Sequence, residues 1–267
     1  MIKLGCYASM FGKDKPKTLA SVESFIDLAY ELQLDVIDFR ADVGFESRES
    51  EYLLGIKTLC MKYGLLIGYL ASGGHFVGTE GELREKVERI KTDVDMAVFL
   101  GAPMIRVFCG HSSEGIQPRE IECFQEVCDL AAEKGIIVGL QNHPSTGDNV
   151  LCLLRETDRE NFTLIMDTGQ WVGSPARNRG VPDPNVDIYE FMEQTAPYTS
   201  YVRAKVYKID SGREEWLDYK RIVQILKSAN FNGCMSITFE GGEVNQCDDK
   251  TAFKLAAQHL RELLSKS

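Results

Sequence analysis

Short apolar runs alternate along the chain with longer stretches in which apolar residues recur at helical spacing. The runs read as strands at Lys3–Ala8, Val36–Arg40, Leu65–Ala71, Met104–Cys109, Ile136–Gln141, Leu164–Asp167, Tyr201–Val206 and Met235–Glu240. Helical patterns fall between and after them, at Thr18–Leu32, Glu49–Tyr63, Glu80–Leu100, Arg119–Lys134, Asn149–Glu156, Ile188–Thr195, Tyr219–Ala229 and Asp248–Lys266. In the fourth of these, Ile121, Phe124, Cys128 and Ala131 repeat as one apolar helix face requires. Gly64, Gly101 and Gly135 stand where left-handed helix caps belong. No Ser/Gly linker divides the chain. The longest irregular stretch, 172–187, is rich in Pro, Gly and Asn, and a loop of that length suggests a lid or pocket wall. Strands each followed by a helix predict an α/β fold, a single-domain (β/α)8 TIM barrel spanning residues 1–267. A doubly wound open sheet is the alternative, but the segment after the first strand, "YASMFGKDKPK", has no GxGxxG turn, and there is no Walker A motif.

The composition narrows the partners. Of 267 residues 44% are hydrophobic, enough for a large core, and the net charge is −10. An acidic chain without a basic stripe argues against nucleic acid. Eight cysteines without a CxxC pair read as buried free thiols in a reducing cytosol. The N-terminus lacks a long apolar signal region, and no apolar run approaches the ~20 residues of a membrane span. The expectation is a cytoplasmic protein with a small-molecule partner and no membrane contact.

In a barrel of this kind the C-terminal strand ends build the site. They carry Asp38 and Arg40; Arg106, with His111 in the loop; Gln141, Asn142 and His143; Asp167, followed by Gln170 and Trp171; Arg203 and Lys205; and Thr238 and Glu240. Several are i, i+2 pairs, which share one side of a strand. Asp38 and Arg40 read as a rim salt bridge. His75, after the third strand, and His111 are substrate contacts or solvated loop residues; His259, in the last helix, has no assigned role.

The segments "GAPMIRVFCG", "AAEKGIIVGLQNH", "LIMDTGQW", "YVRAKVYKID" and "FNGCMSITFEGGE" resemble, in the right order, the xylose isomerase-like sugar phosphate isomerase/epimerase family. The resemblance implies a TIM barrel, and in many relatives a divalent metal held by Glu, Asp, His and Glu. Those ligand positions correspond here to Gln141, Asp167, Arg203 and Thr238, so only the aspartate is kept, and the His common after "DTG" is Gln170. Arginine has no lone pair for a metal and would repel one. The expectation is therefore no cofactor. Arg203 and Lys205 would supply the positive charge, Asp167 would hold Arg203 as a bidentate partner, and His143 or Glu240 would act as the base. Gln141 would hold a sugar hydroxyl, Trp171 would wall a sugar face, and Arg106, Gln170 and His75 would touch substrate. The alternative is a divalent Mn, Mg or Zn held by Asp167, Glu240, His143 and Gln141.

The function so implied is a sugar isomerase or epimerase that removes a proton next to a carbonyl. A keto-glycoside β-elimination lyase starting from the same enolate, and a non-catalytic sugar-binding barrel, stay open. A DNA-repair endonuclease on this barrel would need a multi-histidine zinc cluster, and the chain has four histidines. The resemblance also leaves a homo-oligomer open.

Overall fold

In the computed structural model, residues 1–8, 21–109 and 115–265 are described. His111, the residues 18–20 expected to start the first helix, and Lys266 lie outside them. Eight parallel strands, β1 (Lys3–Tyr7), β2 (Val36–Arg40), β3 (Leu66–Ala71), β4 (Met104–Phe108), β5 (Ile137–Gln141), β6 (Phe162–Asp167), β7 (Thr199–Val206) and β8 (Cys234–Phe239), close in sequence order, with β1 pairing to β8. Each is followed by a helix: α1 (Val22–Glu31), α2 (Ser50–Lys62), α3 (Glu80–Leu100), α4 (Pro118–Glu133), α5 (Gly147–Thr157), α6 (Ile188–Thr195), α7 (Tyr219–Ser228) and α8 (Asp249–Ser265). The expected (β/α)8 barrel is the fold.

Local chemistry sets the element ends. Ser21 caps α1 by accepting from the Ser24 amide, and Thr79 and Glu82 form a reciprocal capping box at α3. Gly64, Gly101 and Gly135 have φ of 71°, 82° and 69°, as helix exits demand. The fifth helix starts at Gly147 rather than Asn149, because the Thr146 side chain caps it. The 172–187 stretch contains a short 3-10 turn, Pro175–Asn178, and borders surface hollows rather than the barrel mouth.

Two cores result from strand alternation. The larger lies between strands and helices. The smaller, which includes Tyr7, Tyr69, Met104, Ile165 and Tyr201, fills the barrel interior. All eight cysteines are free, six of them buried. No described helix is long and apolar enough to cross a membrane.

Candidate active site

A cavity of about 370 Å³ opens at the C-terminal ends of the strands. Among its lining residues are Tyr7, Arg40, Asp42, Arg106, Phe108, Gln141, His143, Arg203, Lys205 and Glu240. Strand register explains the convergence. On β7, Tyr201, Arg203 and Lys205 alternate onto the inward face; on β8 Ser236 and Thr238 do so, and Glu240 continues the pattern past the strand end. The β8 exit runs so close to Tyr207 that a Cβ on Gly241 would lie 1.7 Å from the Tyr207 carbonyl oxygen. Glycine there lets the chain turn directly after Glu240.

The floor is a buried charge cluster. Asp167 is fully buried, and its Oδ2 accepts from Gln141 Nε2 at 2.8 Å and from Arg203 Nε at 3.0 Å. Lys205 Nζ lies 3.6 Å from the same oxygen and donates to Glu240 Oε1. Asp167 was expected to grip Arg203 through two bonds, but only Nε reaches it. Nη1 donates instead to Tyr69 Oη at 2.8 Å, and the guanidinium lies 4.0 Å over the Tyr7 ring. The tyrosines of the interior core pull the fork away from a fork-to-fork geometry. Burial pushes the Asp167 carboxyl above its usual range even though Lys205 and Arg203 oppose that shift. Burial would also raise Glu240, but Lys205 outweighs it and holds this carboxyl below its ordinary value. Glu240 therefore stands at the mouth, 37% exposed, as an ionised carboxylate.

These contacts do not fit a divalent cation. The oxygen of Asp167 that faces the cluster is already shared by an amide and two cationic side chains, and Arg203 cannot be deprotonated to become a ligand. Among the described residues no group of three His, Cys, Asp or Glu is placed to hold a metal. The alternative set of Asp167, Glu240, His143 and Gln141 is likewise spoken for, since Lys205 contacts both of its carboxylates.

Other sequence expectations meet different surroundings. Gln141 and His143 do line the same cavity. The His143 ring is 4.8 Å from Phe108 and 5.9 Å from His75. His75 is beside the cavity rather than in its lining: it stacks on Phe108 at 4.6 Å, and its Nδ1 donates to the Cys109 carbonyl at 2.9 Å. Trp171 does not wall the cavity. It is fully buried against Phe191 in the outer core, since residues beyond the end of β6 turn outward. Gln170 also lies outside the lining, where its Oε1 accepts from Arg177 at 3.1 Å.

Asp38 and Arg40 do not pair. Arg40 reaches forward to Asp42 with two bonds, at 3.0 and 2.9 Å. Asp38 sits deep inside the barrel, accepting from Tyr201 Oη at 2.8 Å and the Tyr69 amide at 3.1 Å. A Cβ on Gly68 would come within 2.4 Å of both Asp38 Oδ1 and Tyr201 Oη, so glycine makes room for this contact. Burial, against those hydrogen bonds and the nearby Arg203 charge, pushes the Asp38 carboxyl up to about 7. The folded state thus binds this proton more tightly than the unfolded chain, where an aspartate titrates near 4. The stability this group contributes is present in acid and is lost as pH rises from about 4 through about 7. Asp38→Asn is expected to remove this component, flattening the fall in urea stability over that window by on the order of a few kcal/mol. Glu214, also pushed to about 7 by burial, keeps its share in both proteins. An unchanged pH slope would show that Asp38 stays ionised in the fold.

Sequence reasoning missed Tyr7, Asp42, Phe108 and Tyr69. Asp42 continues the alternation of Asp38 and Arg40, whereas Tyr7 and Phe108 are tied to singled-out residues only across strands, Tyr7 opposite Asp38 and Phe108 opposite Gln141.

A closed parallel (β/α)8 barrel with polar side chains gathered at its C-terminal mouth is the architecture on which TIM-barrel enzymes build their sites. The sequence model of the xylose isomerase-like TIM barrel matches residues 26–263. The chain belongs to that family. Its fold resembles that of a D-psicose 3-epimerase from Clostridium cellulolyticum H10, solved with D-tagatose, at 13% identity and a TM-score of 0.78, covering 99% of both chains. A xylose isomerase domain protein from Planctomyces limnophilus gives 16% identity and a TM-score of 0.73 over 99% of this chain and 98% of the other. A probable 3-DHS dehydratase from Bacillus anthracis gives 16% identity and 0.72 over 98% and 99%. At these identities the likeness concerns the fold alone. No curated protein sequence matches the chain.

Proposed function

We propose that this protein is a carbohydrate isomerase or epimerase that removes the proton next to a sugar carbonyl without a metal ion. The observation that supports this most is the convergence of Arg203, Lys205 and ionised Glu240 on one cavity floored by Asp167. Membership of the xylose isomerase-like family and the likeness to a D-psicose 3-epimerase are consistent with it.

The Glu240 carboxylate takes the proton from the carbon beside the carbonyl. The C–H electron pair moves into a carbon–carbon double bond, and the carbonyl oxygen takes up the negative charge. Arg203 and Lys205, both buried in the cavity wall, stabilise that oxygen with fixed positive charge. Lys205 also keeps Glu240 ionised, so the base is ready at neutral pH. Gln141 Oε1 is a buried acceptor with no partner among the described residues, and it receives a substrate hydroxyl. His143, which lines the cavity wall after β5, returns a proton in this reading. Return to the former carbonyl carbon, with the hydroxyl proton on the first carbon passing to the former carbonyl oxygen as the new C=O forms, isomerises the sugar; return to the opposite face of the same carbon, with the carbonyl reformed, epimerises it.

The test is solvent-proton exchange. Pentoses, hexoses and their oxidised acids are incubated with the protein in D2O and followed by NMR. Deuterium is expected at the carbon next to the carbonyl of at least one of them. A protein that introduces no label into any of them is a binding barrel, not a catalyst.

A further inference from the structure

We propose that Arg106 is the seat of a substrate carboxylate, so that the cavity takes a sugar acid or hydroxy-keto acid rather than a neutral sugar. This deepens the reading above and rests on it for what happens to the bound molecule, though not for the binding itself.

Arg106 projects from the middle of β4, lines the cavity and is 5% exposed. Its Nε and Nη1 are buried and have no hydrogen-bond partner among the described residues. Nη2 reaches only the Tyr7 hydroxyl, at 3.5 Å, the outer limit of such a bond. The guanidinium carbon lies 3.8 Å from the centre of the Phe108 ring, a cation–π contact that holds the group in the cavity before anything binds. What the site withholds is a negative partner. The other cations of the cavity each have one: Arg40 has Asp42, Arg203 has Asp167, and Lys205 has Glu240. No described carboxylate lies within ion-pair distance of Arg106. A buried guanidinium without a counter-charge is unfavourable in the free protein and becomes favourable when an anion arrives.

The charge balance selects the class of anion. Arg40, Arg106, Arg203 and Lys205 are matched in number by Asp42, Glu240 and Asp249 of the lining and Asp167 of the floor, so a singly charged carboxylate suits the site better than a phosphate dianion. The planar guanidinium also suits the two oxygens of a carboxylate. Gln141 stands on the adjacent strand, paired with Phe108, and its unpartnered Oε1 faces the need for a donor. A carboxylate on Arg106 with a hydroxyl on Gln141 describes a hydroxy acid.

The experiment is a thermal-shift series on the full chain at constant ionic strength. The probes are sodium glucuronate, galacturonate, 5-ketogluconate and glycerate, set against glucose, galactose and glucose 6-phosphate. At least one carboxylate is expected to raise the melting temperature by about 4 °C or more near saturation, which neither the neutral sugars nor the phosphate do. Arg106→Met is expected to lose that shift while melting, without probe, at or above the parent temperature. Should Arg106→Met not fold, Arg106→Lys, which keeps the charge but loses the planar edge, is expected to weaken the carboxylate Kd about tenfold. A larger shift with glucose 6-phosphate, no Arg106-dependent shift with any carboxylate, or an Arg106→Met protein that folds but melts well below the parent overturns the assignment. The two readings separate cleanly. Label exchange into a neutral sugar without a carboxylate shift removes the anion seat and leaves the enolisation. A carboxylate shift that depends on Arg106, with no label exchange in any sugar or acid, does the reverse.

Discussion

Arg203→Met lowers the stability of the barrel by about 3 kcal/mol, because it strands a buried aspartate. Asp167 is fully buried in the low-dielectric interior, so water cannot take over the lost contact. Losing Arg203 removes the 3.0 Å bond to its Oδ2 and leaves the Tyr69 hydroxyl without its 2.8 Å donor. Lys205, at 3.6 Å, supplies part of the missing charge, which sets the effect at the low end of what a broken buried pair costs. For a chain of this length the melting temperature is expected to fall by roughly 6–12 °C. The pairing can be isolated with a double-mutant cycle. Arg203→Met combined with Asp167→Leu removes both charges and is expected to be markedly more stable than the sum of the single losses predicts. Additive losses would mean that the two side chains are neighbours without being partners. Arg203→Met is also expected to slow label exchange by about 100-fold or more, the usual effect of removing one donor from a developing oxyanion.

Glu240→Gln keeps the shape and the hydrogen bond from Lys205 but removes the base. Label exchange is expected to fall by about 100-fold to 10,000-fold with little change in melting temperature, since the side chain is partly exposed at the mouth. The pH profile carries a second signature. Lys205 holds the Glu240 carboxyl below its ordinary value, so the parent enzyme loses activity only well into acid. In Lys205→Met the carboxyl rises toward the value that burial favours, and the acid limb of the profile moves to higher pH. If Glu240→Gln exchanges label at the parent rate and His143→Asn does not, the base is His143.

The barrel was legible because its strands are largely apolar runs and three of its helices, α2, α3 and α4, end on glycines that could adopt the required φ. The charged floor was legible for the same reason: two-residue alternation alone places Arg203 with Lys205, and strand register brings Asp167 beside them. Alternation fails past the last paired residue, and so Trp171 and Gln170, just after β6, could not be placed. Pair geometry was also out of reach. Asp38 and Arg40 share a face, yet a register shift between Ile37 and Phe39 and the depth of Tyr201 send Asp38 into the interior and Arg40 to Asp42. The aromatic neighbours that decide how each guanidinium lies come from strands far apart in sequence: Tyr7 and Tyr69 for Arg203, Phe108 for Arg106. No spacing rule within one segment could have named the first two.

The central claim is that side-chain cations take the place a dication would fill around Asp167. It is tested most directly by label exchange with protein stripped by chelator and assayed in metal-free buffer, before and after adding Mn, Mg or Zn. The account predicts full exchange in the stripped protein and no gain on adding any of the three ions. Exchange that vanishes on stripping and returns with one ion would contradict it.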